Sequence, residues 1–239
     1  SAATSTTCAN GQFSAPILFS NGDGTKKIIA SQTDAAGNVG SDSRDFMRDA
    51  TAPSLQIISP VAGTVTQGPL TVTGICSADL PVNLSGAIVS GVTVPCTNGS
   101  FSANVVLTSP DGTKNVVASQ TDTAGNLGSD NRNFTLDTQA PLVTILTPDA
   151  GTPASTGITV TGTCTPGLNV NLAGDITPVT ANCPNGQFSS AVTFTGNDGS
   201  KTVIATQTDS AGNVGSDKRD FVKDSVGPAI AITAPPEGT

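Results

Sequence analysis

The sequence has no tryptophan, no tyrosine and no histidine among its 239 residues. The absence of histidine excludes catalytic triads built on imidazole and removes the commonest metal-binding side chain. Only 12% of the residues are charged, and acidic residues outnumber basic ones by 18 to 10, which argues against a nucleic-acid or anionic membrane partner. No run approaches 18 consecutive apolar residues, so the sequence predicts no membrane span.

An internal repeat dominates what the sequence does contain. Residues 8–13 match residues 96–101 and 183–188 without gaps, at offsets of 88 and 87. All eight phenylalanines fall into three aligned columns, and fourteen of the 18 acidic residues fall into five. Such agreement among rare residues indicates tandem repeats of 87–88 residues.

Each repeat alternates apolar and polar residues with a period of two, which is typical of a strand with one buried face. Phe101, Ala103 and Val105 show this pattern. The Asn98-Gly99 and Asp111-Gly112 pairs predict hairpin turns. Seven short strands per repeat favour an antiparallel β-sandwich. In the second repeat they are predicted at 54–60, 69–76, 81–86, 90–96, 100–107, 113–121 and 129–137.

A recurring signature carries a family resemblance. Thr-Asp-x-x-Gly-Asn is followed by Gly-Ser-Asp-x-Arg-x-Phe-x-x-Asp and a linker that ends in proline. The whole chain resembles bacterial immunoglobulin-like (Big-type) repeats, which form the stalks of extracellular adhesins and surface fibres. The resemblance implies an all-β fold of tandem immunoglobulin-like sandwiches at the cell surface, and no common enzymatic activity.

The repeat register predicts four segments. Residues 1–50 are the C-terminal part of a repeat, 53–138 and 141–225 are complete repeats, and 228–239 is the first strand of another. A fragment of a longer tandem array explains this best, with neighbouring repeats of the same or identical chains as partners. The alternative is a filament subunit that strand exchange with neighbouring chains completes.

The five cysteines follow the same register. Cys76 and Cys96 are predicted to terminate strands at one pole of a sandwich and to form a disulfide, and Cys164 and Cys183 repeat the pair. Cys8 is expected to pair with a cysteine outside this chain. Two thiolates without histidine make a poor zinc site. Disulfides imply an oxidising, extracytoplasmic compartment.

The acidic columns have two interpretations. Strand alternation places Asp49 beside the Asp122–Asn126 turn, and Asp137 beside the next such turn, so oxygen ligands converge on each junction between repeats. Such ligands hold Ca²⁺, and the family resemblance makes interdomain calcium the one candidate cofactor. The alternative is that Asp and Asn stabilise their own turns. The candidate ligands are Asp49, Asp122, Asn126, Asp137, Asp209 and Asn213.

Two further columns predict structural roles. Gln32, Gln120 and Gln207 are expected to be half-buried amides that bond turn backbone, because an unpaired amide would be costly. A second column is expected to pair with neighbouring aspartates along the last strand. It contains Arg44, Arg132 and Arg219.

A rigid extracellular spacer is therefore the leading functional hypothesis. A binding module is the second, and it would use the loops that vary between repeats: 77–81 and 165–169, or 87–95 and 175–182. Recognition surfaces favour tryptophan and tyrosine, which this chain lacks. A host or cell-surface ligand would then bind a terminal domain outside this sequence. No general acid/base pair, phosphate loop or nucleophile elbow is visible, so the sequence does not predict an enzyme.

Overall fold

A computed structural model of the chain describes residues 3–234. Within this range the regular elements are all β-strands, so these residues hold no helix that could cross a membrane. The predicted all-β class is confirmed, and the sheets pair face to face as β-sandwiches. Residues 1–2 of the first predicted segment and 235–239 of the last lie outside the described residues.

The first two strands form an antiparallel hairpin. Strand β1 (Gly24–Thr33) pairs with β2 (Val39–Arg48), with Gly24 opposite Arg48 and Thr33 opposite Val39. This sheet has two strands in the described part of the chain, and most side chains of β2 are exposed.

The strands between residues 55 and 136 form two sheets. The first contains, in spatial order, β3 (Leu55–Ser59), β5 (Leu70–Cys76) and β8 (Ser100–Val105). The second contains, in spatial order, β4 (Val65–Thr66), β10 (Leu127–Leu136), β9 (Gly112–Thr121), β6 (Val82–Gly86) and β7 (Val92–Val94). The seven predicted strands are all present. The short strand β4, parallel to β10, was not predicted because two residues show no periodicity.

The strands between residues 143 and 223 repeat this arrangement. The three-stranded sheet contains β11 (Val143–Thr147), β13 (Gly157–Cys164) and β16 (Gln187–Thr193). The five-stranded sheet contains, in spatial order, β12 (Pro153–Ala154), β18 (Val214–Lys223), β17 (Gly199–Thr208), β14 (Val170–Gly174) and β15 (Val179–Ala181).

The core of each sandwich is made by the inward-facing residues of the alternating pattern. In β8, Phe101, Ala103 and Val105 are buried while their neighbours are exposed. Phe134 and Phe221, in the same repeat column, are also buried. Full burial of such an aromatic side chain contributes about 1.5–3 kcal/mol relative to exposure. The phenylalanine columns are therefore core residues in these two repeats, whereas Phe13 and Phe46 in the same columns are 61% and 44% exposed.

Neither of the two predicted hairpin turns joins strands of one sheet, although the first forms a tight turn. Asn98 and Gly99 adopt φ angles of 52° and 76°, and Thr97 and Ser100 exchange backbone hydrogen bonds around them, so a tight turn forms here, but the flanking strands β7 and β8 belong to different sheets. The hairpin prediction for Asp111-Gly112 is wrong. The strands on either side of it, β8 and β9, belong to different sheets, so the segment is a crossover. The Asp-Gly pair correctly predicts a glycine with positive φ, here 116° at Gly112, but it does not predict which strand pairs with the next one.

The chain contains two compact units. The first holds the β1–β2 hairpin and most of the strands between Leu55 and Phe134. The second holds the strands from Val143 onward, together with β4 and the end of β10. The domain limits inferred from the repeat register remain a prediction.

Candidate functional site at the linkers

The loop between β9 and β10 is closed by the side chain of Asp122. Its Oδ1 atom accepts the backbone N–H groups of Ala124 and Asn126, each at 2.9 Å, and its Oδ2 atom accepts the Asn126 side-chain amide at 2.9 Å. The loops at Asp34 and Asp209 make the same three bonds. The Asp-x-Ala-Gly-Asn motif therefore builds a turn around its own carboxylate and fixes the asparagine side chain.

The same asparagine binds the linker that leads into its repeat. Asn126 Nδ2 donates to the backbone carbonyl of Asp49 at 3.3 Å, and Asn213 Nδ2 donates to that of Asp137 at 2.9 Å. Asp49 and Asp137 each follow the last strand of the preceding repeat. The structure thus brings the predicted junction residues together through an amide-to-carbonyl bond.

The preceding repeat holds the start of the linker through another aspartate column. Asp111 Oδ2 accepts the backbone N–H of Thr138 at 2.9 Å. Asp23 accepts the N–H of Ala50 at 2.9 Å, and Asp198 accepts that of Ser225 at 2.8 Å. This column was visible in the sequence, but its role was not, because its partner lies 27 residues along the chain.

A glycine in the following repeat fixes the end of the linker. A Cβ atom on Gly128 would lie 2.0 Å from the carbonyl oxygen of Pro53, and one on Gly215 would lie 1.7 Å from that of Pro141. Both glycines are in the last strand of their repeats, β10 and β18. Only glycine leaves room for the linker proline at this position.

The predicted calcium ligands have few oxygen atoms to spare. The Asp122 carboxylate already accepts three hydrogen bonds, and Asp49 Oδ1 accepts the backbone N–H of Thr51 at 3.1 Å. Residues 3–234 contain no group of three or more cysteine, aspartate or glutamate side chains placed to hold a metal ion. Calcium at the junctions remains a prediction.

The turn carboxylates are tuned by the hydrogen bonds that they accept. The amide of Asn126 holds the pKa of Asp122 below its ordinary value, and Asn213 and Asn38 do the same for Asp209 and Asp34. A lowered folded-state pKa means that the ionised form stabilises the turn. This contribution is present above the ordinary aspartate range and is lost as the pH falls through the lowered pKa.

The structure contains both predicted disulfides. Cys76 and Cys96 are bonded with their Cα atoms 6.0 Å apart, and Cys164 and Cys183 with theirs 6.2 Å apart. Closing loops of 20 and 19 residues contributes roughly 3 kcal/mol each in the chain-entropy model. Cys8 is a free, exposed thiol in the described residues, and its pairing outside the chain stays a prediction.

The variable loop 77–81 borders a shallow recess beside the first disulfide. Its lining has one charged side chain, Asp79, and no aromatic ring; the remaining residues are Leu80, Pro81, Pro95, Cys96, Thr97 and Asn98. The recess therefore lacks the stacking surfaces on which sugar and protein recognition depends.

The predicted pairing of the arginine column with neighbouring aspartates is wrong for the two complete repeats. Arg132 donates to the carbonyl oxygens of Ile58 at 2.9 Å and Pro60 at 2.8 Å, and also to that of Ile57. Arg219 donates to those of Leu146 at 2.7 Å and Pro148 at 2.8 Å. The reason is a register shift in β3 and β11, which turns carbonyl groups out of the sheet ladder toward the arginine.

An aspartate completes this arrangement from the same strand. Asp130 Oδ2 accepts the N–H of Ile57 at 2.8 Å, and Asp217 Oδ2 accepts that of Ile145 at 2.7 Å. Asp and Arg two residues apart lie on one face of β10 or β18 and bind the first strand of the repeat in the opposite sheet. We call this pair the strand clamp. The aligned Asp and Arg positions were visible in the sequence, but the backbone groups that they bind were not.

Gln120 and Gln207 bond loop backbone as predicted and are more deeply buried than expected, whereas Gln32 is exposed, so the prediction is wrong for Gln32. Gln120 is 0% exposed. Its Oε1 atom accepts the N–H of Ser77 at 3.0 Å, and its Nε2 atom donates to the carbonyls of Ser77 at 3.1 Å and Leu80 at 2.8 Å. Gln207 makes the same bonds to Thr165 and Leu168. Each amide ties the loop after the disulfide-bearing strand to the opposite sheet.

No protein-family model matches the chain, and no curated protein matches it either. Among solved structures it is similar to the fibronectin(III)-like modules of Clostridium thermocellum CbhA, at 13% identity and a TM-score of 0.44, over 71% of this chain and 94% of that one. It is similar to a tetra-tandem repeat in the extending region of a large adhesion protein, at 26% identity and a TM-score of 0.33, over 85% of this chain.

A third similar structure is a Ca²⁺-stabilized adhesin that helps an Antarctic bacterium bind ice, at 20% identity and a TM-score of 0.39, over 84% of this chain. The chain spans 57% and 56% of the two adhesin structures. The fold assignment rests on the strand order and burial pattern of this chain.

Proposed function

We propose that the chain is a structural spacer in the stalk of an extracellular bacterial adhesin or surface fibre, built from Big-type immunoglobulin-like repeats at 53–138 and 141–225. The observation that carries the proposal is that two side chains, one from each of the repeats it connects, hydrogen-bond the backbone at the linker after β10. Asp111 binds the linker start at Thr138, and Asn213 binds the carbonyl of Asp137. A spacer needs linkers with little conformational freedom, and these hydrogen bonds restrict the freedom of this linker.

The disulfides support an extracellular location for this spacer. Disulfides form and persist in oxidising compartments, and here one ties each complete repeat. The lack of tryptophan and tyrosine, which recognition surfaces favour, fits a spacer better than a ligand-binding module. Neighbouring repeats are then the principal partners, and a cell-surface ligand would belong to a terminal domain.

Electron microscopy of the purified chain tests the spacer role. We expect single thin rods of uniform length, because strands of ten residues span about 33 Å and the linkers are short. Variants with Asn126→Ala and Asn213→Ala should bend more, which would appear as a wider spread of end-to-end distances. Compact particles, or rods unaffected by both substitutions, would contradict the proposal.

We further propose that a calcium ion binds at each junction between repeats. Within residues 3–234, no hydrogen bond reaches Oδ2 of Asp49 or Oδ1 of Asn126, and Asp122 Oδ2 accepts one bond only. These three oxygen atoms, with nearby loop carbonyls, are the ligands that a calcium ion would use. Asp137, Asp209 and Asn213 offer the same set at the next junction.

Calorimetric titration of the chelator-treated chain tests calcium binding. We expect heat on addition of Ca²⁺ and a rise in melting temperature that Mg²⁺ does not reproduce, because the smaller ion demands octahedral geometry. The Asp49→Ala and Asp137→Ala double variant should lose both signals. No heat and no melting shift up to millimolar Ca²⁺ would end the calcium proposal and leave the spacer role on its hydrogen bonds.

A further inference from the structure

The first segment of each complete repeat runs along the last strand in the same direction. In the later of the two complete repeats, residues 141–154 begin with the carbonyl of Pro141 against Gly215, near the start of β18. They end with β12, which pairs with β18 in parallel and places Pro153 opposite Val222. We call residues 141–154 the entry segment.

The strand clamp holds the middle of the entry segment. Asp217 Oδ2 accepts the N–H of Ile145 at 2.7 Å, and Arg219 donates to the carbonyls of Leu146 at 2.7 Å and Pro148 at 2.8 Å. Hydrogen bonds with one charged partner are roughly twice as strong as neutral ones. The clamp is therefore a strong attachment between the entry segment and β18.

Backbone hydrogen bonds hold the end of the entry segment. They join the N–H of Gly151 to the carbonyl of Asp220 at 2.8 Å, that of Val222 to Thr152 at 3.1 Å and that of Asp224 to Ala154 at 3.1 Å. Side-chain bonds near the start and backbone bonds near the end thus attach the entry segment along most of β18.

The earlier complete repeat is held in the same way. Its clamp residues, Asp130 and Arg132, bind the backbone of residues 57–60. Two backbone bonds follow, from the N–H of Gly63 to the carbonyl of Asn133 at 2.8 Å and from the N–H of Asp137 to that of Thr66 at 2.9 Å. The arrangement is therefore a property of the repeat and not of one copy.

This arrangement decides how tension along the chain acts on a repeat. The chain enters at the start of the entry segment and leaves at the end of β18. Because the two segments are parallel, these points lie at opposite ends of the repeat. Tension therefore pulls the entry segment and β18 past each other along their length and acts on the clamp and the backbone bonds together. An antiparallel hairpin pulled at its open end would instead lose its bonds one pair at a time.

We infer that the strand clamp is the part of each complete repeat that resists tension along the chain, and that its side-chain bonds set the force at which the repeat unfolds. The parallel strands β4 and β12 contain two residues each, so their backbone ladder alone is short. The clamp extends the attached length toward the point where the chain enters. The inference deepens the proposed spacer role and rests on it, because a spacer anchored at both ends carries tension.

Single-molecule force spectroscopy of the 239-residue chain, held by its two ends, tests the inference. Cys8→Ser prevents intermolecular disulfides. A complete repeat is recognised because a reductant lengthens its unfolding step by roughly 60 Å, the reach of the loop of 20 or 19 residues that its disulfide closes. We expect Asp217→Ala and Arg219→Leu each to raise the unfolding rate of one repeat at least about tenfold at a given force, and to leave the other repeat unchanged.

Three further variants separate the clamp from a general loss of stability. Asp217→Asn keeps an acceptor oxygen for Ile145 and should have an intermediate effect. Lys218→Ala changes an exposed side chain on the opposite face of β18 and should unfold as the parent does. Gln207→Ala lowers the equilibrium stability of the same repeat, but the bonds that it removes lead to the loop 165–168, outside the entry segment and β18. Its unfolding rate under force should therefore stay near that of the parent, since forced unfolding follows the rate and not the equilibrium.

Each other outcome overturns the inference. If clamp variants unfold at the parent's rate, or if Gln207→Ala unfolds as fast as they do, the clamp does not set the force. If one clamp variant fails to fold, its step is missing and the other variant decides. A step at low force that releases the entry segment before the rest of the repeat would mean that the segment peels away without resisting. In each of these cases, rods of unchanged length in micrographs would leave the spacer role standing.

Discussion

Replacing Gln120 by alanine is expected to lower the free energy of unfolding of its repeat by about 3–5 kcal/mol. The substitution leaves the N–H and carbonyl of Ser77 and the carbonyl of Leu80 without their partner inside the protein. Each buried polar group that loses its bond costs about 1–3 kcal/mol. Urea unfolding followed by far-ultraviolet circular dichroism measures the change, since the chain has no tryptophan or tyrosine to report by fluorescence.

The chain contains its own control for this experiment. Gln32 occupies the same repeat column but is exposed in the β1–β2 hairpin, so Gln32→Ala should leave stability almost unchanged. Gln207→Ala should reproduce the large loss in the next repeat, because its three bonds match those of Gln120. Equal effects of Gln32→Ala and Gln120→Ala would mean that the amide acts through strand propensity and not through the buried bonds.

The strands and cores could be predicted from the sequence because both depend on local alternation. Each buried strand of a sandwich shows its inward face every second residue, so Phe101 and Val105 mark the core without any knowledge of their partners. The repeat strengthened the prediction, because the same apolar and polar pattern occurs three times in the chain. The disulfides could be predicted on a different ground: successive strands alternate in direction, so the two cysteines were placed at strand ends on one side of the sandwich.

The targets of the polar columns could not be predicted in the same way. Arg132 binds carbonyl groups that are exposed only because β3 shifts register near Ile57, and no side-chain pattern reports such a shift. Asp111 looked like a hairpin residue, yet its carboxylate binds Thr138, which is 27 residues further along the chain. Backbone donors and acceptors are the same for every residue type, so sequence identifies the side chain and leaves its backbone partner open.

Replacing Gly215 by alanine is expected to destabilise the third repeat by about 3 kcal/mol or more and to loosen its linker. The new methyl group would lie 1.7 Å from the carbonyl oxygen of Pro141, which is a backbone atom and cannot move without moving the linker. Overpacking of this kind typically costs about 1–3 kcal/mol, and more where the obstacle is rigid. Hydrogen exchange at the amides of residues 142–145, with chemical unfolding, would measure both effects.

Gly40→Ala separates this contact from the intrinsic cost of changing a strand glycine. Gly40 has the same place in β2, but no atom lies within 4 Å of the position that the new methyl group would take, so the monomer should be unchanged or stabilised by up to about 1 kcal/mol. Gly128→Ala should resemble Gly215→Ala, because its methyl group would lie 2.0 Å from the carbonyl of Pro53. If all three variants lost equal stability, close packing of the linker proline could not be the reason that glycine stands in this column.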